Sequence, residues 1–180
     1  MRPIKGIPEY ENRSPIRNQL LRDQYDFVVT LLDTGARHSE IATLEWKSVD
    51  LESRLIRLWR PKVRNQSIIY ISERLYGVLK RRYENRDPEI SFVFHTRDGR
   101  RKSYIANTAR RIFDRIGLQD YSYHTLRHTL ASKLIQNGLN NYEVKEILGH
   151  TDIKTTMRYA HLEVQDVSRK AKAVLDGTKQ

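Results

Sequence analysis

The chain has no cysteine, two methionines, five prolines and eight glycines among 180 residues. Without cysteine there can be no disulfide, no thiolate zinc site and no cysteine nucleophile, and the composition fits a reducing, cytoplasmic setting. No run of about 18 apolar residues is present, and no apolar block follows the N-terminal charges, so nothing in the sequence reads as a membrane span or an export signal. Internal repeats and low-complexity tracts are missing as well. Acidic residues are few: 22 Asp and Glu face 33 Lys and Arg, a formal charge of +11. At this size such an excess points to a polyanionic partner, nucleic acid before an anionic membrane. With 38% hydrophobic residues a chain of this length buries roughly 70% of its unfolded surface, enough for one compact domain.

Residues 1–13, "MRPIKGIPEYENR", read as an irregular leader or the remnant of a linker, and residues 14–180 as the folded domain. Ser14 and Pro15 signal a helix start, Ile16, Leu20, Leu21, Phe27, Val28, Leu31 and Leu32 follow at helical spacing, and Gly35 stops the helix. The stretch "SVDLESRLIRLWRPKVRNQSIIYIS" contains β-prone runs bounded by turn residues and predicts three short strands in an antiparallel meander. Helices are expected at about 73–84, 103–116, 125–136, 141–148 and 152–161, with Gly117, Gly138 and Gly149 as stops and a tail helix at about 163–175. The fold class is therefore α+β, mostly α, with a small three-stranded antiparallel sheet.

Groups suited to phosphate chemistry fall in separate segments: Arg37 after the glycine stop, Lys62 in the hairpin, His124 and Arg127 in "YHTLRH", His150 in "LGH", and Tyr159 in "TTMRYAHL". Cleaving a phosphodiester without a metal requires fixed cations on the non-bridging oxygens, where charge accumulates in the transition state. Arginine suits this better than lysine, because its planar fork grips two oxygens and keeps its proton. A hairpin lysine can reach a leaving oxygen. His124 and Arg127 lie three apart and share one helical face, and histidine exchanges protons near neutral pH. His150 precedes a helix start, where backbone N–H groups favour an anion. A phenol, with an ordinary pKa of about 10, is a poor nucleophile without cationic neighbours and a base.

"TGARHSEI", "YHTLRHTLAS", "LGHTDIKTTMRYAHL" and the hairpin lysine stand in the order found in the catalytic domain of the tyrosine recombinases, the phage integrase family, which this sequence resembles over roughly residues 15–165. The resemblance implies that Arg37, Lys62, His124, Arg127 and His150 activate the phosphate. It further implies that Tyr159 attacks to leave a 3'-phosphotyrosyl link and a free 5'-hydroxyl, with no ATP, cofactor or metal. The implied partner is double-stranded DNA, held by a homo-oligomer, a tetramer, away from any membrane. Family members usually carry a separate helical domain in front that clamps the DNA. Here only the short leader stands there, so the chain looks like a catalytic fragment or a truncated member.

Each residue also has an ordinary explanation. Tyr159 is one of ten tyrosines and suits packing. Arg37 can pair with Glu40 one turn on. Lys62 shares its hairpin with Arg60 and Arg64, both expected to be solvated and to touch phosphates. His124 and His128 match the spacing of a helical metal pair, but the usual glutamate is replaced by Thr125 and no third ligand is evident. His128 is expected to be a structural neighbour, and His150 can simply end a turn. Two other functions fit parts of the pattern: a type IB topoisomerase, and a non-catalytic DNA-binding regulator, which has no need of Arg, Lys, His and Tyr together.

Overall fold

The computed structural model describes residues 15–61, 64–101, 113–114, 116–149, 154–160, 171–172 and 174–177. Helix α1 (Pro15–Thr34) opens on proline, whose fixed φ and missing N–H suit a first turn. It is followed by α2 (His38–Ala42), a short 3-10 turn (Trp46–Ser48) and three strands, β1 (Val49–Asp50), β2 (Leu55–Arg60) and β3 (Asn65–Tyr70). Then come α3 (Glu73–Glu84), α4 (Tyr123–Gln136), α5 (Asn141–Leu148) and α6 (Lys154–Met157). The expected meander is present: the sheet is antiparallel in the order β1-β2-β3, with Val49 opposite Ile56 and Ile56 opposite Ile69.

Alternation sets the sheet's faces. Ile56, Leu58, Arg60 and Ile69 point inward, whereas Arg57, Trp59, Ile68 and Tyr70 are exposed. The inner face joins Phe27 and Leu31 of α1, Leu75 and Leu79 of α3, Phe94 and Tyr123 in the main core. Phe27 meets Phe94 and Tyr123 edge-on, with ring centroids 5.2 and 5.6 Å apart, an arrangement that adds to simple area burial. Asp26, buried on α1, pairs with Arg81 and Arg82 of α3, and Arg82 also donates to the Val93 carbonyl at 3.0 Å. A second cluster, Ala131, Ile135, Val144, Leu148 and Tyr159, packs α4 against α5 and the segment after α6.

Helices α3 and α5 occupy the residues expected of them, and their caps explain why. Ser72 accepts from Leu75 N at 3.2 Å. Asn140 and Glu143 exchange backbone and side-chain bonds of 2.9 and 2.7 Å, the reciprocal box of an N-terminus. Helix α4 starts two residues earlier than expected, at Tyr123, because the Thr125 hydroxyl accepts from Ser122 N at 3.1 Å and closes the turn there. Most of the helix expected over 103–116 and of the tail helix over 163–175 lies outside the described residues, as do the leader, Lys62 and His150. Residues 171–172 and 174–177 are helical.

Gly35 ends α1 with φ +59°, its N–H bonded to the Leu31 carbonyl at 2.9 Å. A Cβ here would lie 2.5 Å from Leu148 Cδ2 and 2.7 Å from Leu130 Cδ2, so α1 touches α4 and α5 through this hydrogen. Gly35→Ala adds the left-handed penalty of about 1–2 kcal/mol to that overlap. It is expected to lower unfolding stability by at least about 2 kcal/mol, read from denaturant midpoints at constant slope.

Candidate active site

The bend at Gly35 delivers Arg37 to the N-terminus of α2. Glu40 holds it twice: Oε2 accepts from Arg37 N at 2.8 Å, and Oε1 accepts from Nη1 at 2.8 Å. The Glu40 side chain is 2% exposed and that of Arg37 18%. The ion pair weighed as the ordinary explanation of Arg37 therefore exists, and it also fixes the position of the guanidinium. Charge and position are set by one buried carboxylate.

Arg127, on α4, is buried, and its two terminal nitrogens donate to the Gly35 carbonyl and, at 2.6 Å, to the Leu148 carbonyl. Two of its five N–H donors are used in these bonds, leaving others for an anion. Arg60 corrects an expectation. It is not a solvated hairpin charge but is completely buried, donating to the Leu148 carbonyl and, at 2.6 Å, to the Ile147 carbonyl. The alternation of β2 turns it inward with Ile56 and Leu58. Arg64 is exposed as expected. Burial, then Arg37 and Arg60, lower the Arg127 pKa to about 10, and burial lowers that of Arg60. Both remain protonated at neutral pH, in a cluster whose nearby carboxylate is Glu40.

Gly149 caps α5 in the left-handed region at φ +65°, and any Cβ there would run into the Arg60 guanidinium. The turn leading to His150 is thus packed directly on a cation.

Tyr159 is 6% exposed, with its ring in the second core cluster. Its pKa is raised by burial, against the opposing pull of Arg158 and Arg127, so the phenol is protonated at neutral pH and needs a proton acceptor to become a nucleophile. The Tyr159 hydroxyl has a hydrogen-bond partner: His128 Nδ1, expected from the sequence to be a structural neighbour, is bonded to it across 31 residues of chain. Spacing along α4 places His128 one turn after His124, but nothing local signals a bond to Tyr159. His124 is exposed in the first turn of α4, near enough to His38 and His128 to lower both of their pKa values. No third ligand joins His124 and His128 among the described residues.

Arg37, Arg127, His124 and Tyr159 are thus drawn into one neighbourhood from three parts of the chain, while Lys62 and His150 lie outside the described residues. Tyr123 is also close, but burial pushes its phenol up to about 12, and its oxygen has no hydrogen-bond partner among the described residues. Surface clefts of about 450 and 640 Å³ open elsewhere, around Arg22, Asp26 and Arg82 and around Trp46, Arg57 and Arg86. No described helix is long and apolar enough to cross a membrane.

Residues 5–166 match the model of the phage integrase family. The tyrosine recombinase XerA of Saccharolobus solfataricus is 30% identical over 165 residues, which cover 91% of this chain and 54% of that protein. The integrase of Salmonella phage P22 is 31% identical over 195 residues, covering 96% and 50%. The chain spans about half the length of these curated relatives. Among solved structures, the catalytic domain of bacteriophage HP1 integrase superposes with a TM-score of 0.62 at 29% identity, over 83% of this chain and 81% of that one. The crystal structure of XerA recombinase gives 0.69 at 24% identity, over 92% and 65%, a likeness of fold.

The two places for Arg60 differ in their consequences. Arg60→Met leaves the Ile147 carbonyl without its donor and is expected to cost about 1–3 kcal/mol of stability. The salt dependence of DNA binding is expected to stay nearly constant, whereas a surface phosphate contact would lower its slope by about one. Thermal melting and a salt titration of DNA affinity check both.

Proposed function

The chain belongs to the phage integrase family, and on that premise we propose that it cleaves and rejoins DNA at specific sites through a covalent 3'-phosphotyrosyl intermediate, without ATP or metal. The observation that carries this reading is the neighbourhood of Tyr159: Arg37 and Arg127 fixed by buried carboxylate and carbonyl groups, and a phenol that has a histidine partner. Guanidinium groups held in advance of the reaction stabilise charge on the non-bridging oxygens with no reorganisation as it develops. Tyr159 Oη forms the bond to phosphorus, the bond to the 5'-oxygen breaks, and that oxygen takes up a proton. Lys62 is the proposed donor of that proton, and His124 and His150 complete the set around the phosphate. The reverse sequence rejoins the strand.

The proposed substrate is double-stranded DNA in the cytoplasm, held by paired copies of the protein as a tetramer. The +11 charge supports a nucleic-acid partner. Relatives named as recombinases and integrases favour strand exchange over simple relaxation of supercoils, and an assay scoring both products separates the two.

Arg37→Ala is expected to slow cleavage by at least ~100-fold, the scale for losing one preorganised donor. Arg127→Lys is expected to rescue poorly, because one ammonium cannot hold two carbonyls and still grip an oxygen pair. For Lys62, a 5'-bridging phosphorothiolate supplies a leaving group that departs as a thiolate and needs no proton. Lys62→Ala is expected to be severely slow on ordinary DNA and to recover most of its rate on the sulfur substrate. Equal defects on both substrates would remove Lys62 from the acid role, while Arg37→Ala is expected to show no such recovery.

A further inference from the structure

Resting on this reading of Tyr159 as nucleophile, we propose that His128 is a catalytic residue: its Nδ1 takes the phenolic proton as Oη attacks phosphorus, and returns it when the strand is rejoined. The step balances. The O–H bond of Tyr159 breaks, its electron pair forms the O–P bond, and the proton rests on Nδ1 until ligation reverses the transfer.

The geometry carries the assignment. His128 Nδ1 is the hydrogen-bond partner of the reacting oxygen itself, with ring centroids 5.9 Å apart and planes at 50°. For a neutral ring to accept at Nδ1, its proton sits on Nε2, and the phenol, protonated at rest, is the donor. His128 is held neutral at physiological pH: burial lowers its pKa, as do the charges of Arg158, His124 and Arg127. Among the described residues, these groups and Tyr159 are the charged and titratable neighbours it faces, and none of them is a carboxylate that would pull its pKa up. The same surroundings suit proton return, since an imidazolium among arginines gives up its proton readily. His124 stands differently, exposed at the start of α4, where its ring is available to a phosphate oxygen. The two histidines one turn apart thus divide the work: His124 to the phosphate, His128 to the nucleophile.

The sign of the pH effect follows. Below its pKa, His128 carries a proton on Nδ1 and cannot accept, so cleavage falls as pH drops through that value, which lies below the ordinary 6.5. The test is single-turnover cleavage of a nicked suicide substrate by the whole chain, for wild type, His128→Asn, His128→Ala and His124→Asn. Asparagine can keep an acceptor near the Nδ1 position but is not a base, so a purely structural bond survives in it and proton transfer does not. His128→Asn and His128→Ala are expected to lose about 10²–10⁴-fold in rate at pH 7, with DNA affinity within a few-fold and the acid limb of the pH profile gone. Added imidazole is expected to restore part of the His128→Ala rate, and His124→Asn to keep the acid limb. Melting temperatures verify folding, and His128→Gln substitutes should asparagine prove unstable. An active wild type with His128→Asn within about threefold of it, or an acid limb lost in His124→Asn and kept in His128→Asn, overturns the role of His128 alone. A wild type that forms no tyrosyl adduct overturns the underlying reading with it.

Discussion

Two buried guanidinium groups meet on one carbonyl oxygen, that of Leu148 at the end of α5. Arg60 arrives there from the sheet and Arg127 from α4, and Arg127 reaches further to the Gly35 carbonyl where α1 ends. Four elements separated by up to about a hundred residues are thereby locked at the point where the site is built. The constraint is costly, because burying like charges side by side is unfavourable without compensation. Glu40 and the last carbonyls of α5, the negative end of a helix dipole, provide it. The same geometry dictates two glycines, since both Gly35 and Gly149 lie where a Cβ would strike the groups being held together.

Such a scaffold separates two tasks. The cations are immobilised by a buried carboxylate and by backbone carbonyls, so the field they present to an anion is fixed before any ligand arrives. In the proposed reaction, proton movement falls to imidazole rings on one face of α4, His124 at its start and His128 one turn in. Tyr159 belongs to both worlds, its ring packed among Leu148, Ile135 and Val144 and its hydroxyl on His128. Packing and the proposed nucleophilicity, posed by the sequence as alternatives, fall at opposite ends of one side chain: the ring is packed and the hydroxyl is bonded to His128.

Local chemistry made much of this legible. The glycine stop before Arg37, the extent of α5 and the glycine after it, and the turn-bounded β-prone runs of β2 and β3 all rest on interactions within a few residues, so sequence alone carried them. Arg60 was misjudged because its charge outweighed its position, although the period of two in "LIRLWR" already placed it on the inward face with Ile56 and Leu58. The bond between His128 and Tyr159 was not legible for another reason. The two residues are 31 apart, with α5 and α6 between them, and the packing of α4 on α5 and of α5 on α6 brings them together. Helix α4 started early because a threonine cap, weaker as a written signal than a glutamate, closes its first turn.

The central claim is that the buried phenol of Tyr159 becomes covalently joined to DNA. The most direct measurement is to trap the chain on a nicked DNA carrying its own recombination site, digest the product, and sequence the nucleotide-linked peptide by mass spectrometry. The account predicts a single modified peptide containing Tyr159, linked to a 3'-phosphate, together with a strand bearing a free 5'-hydroxyl. A linkage at Tyr123 or any other tyrosine, or cleavage that leaves no protein attached, would contradict it.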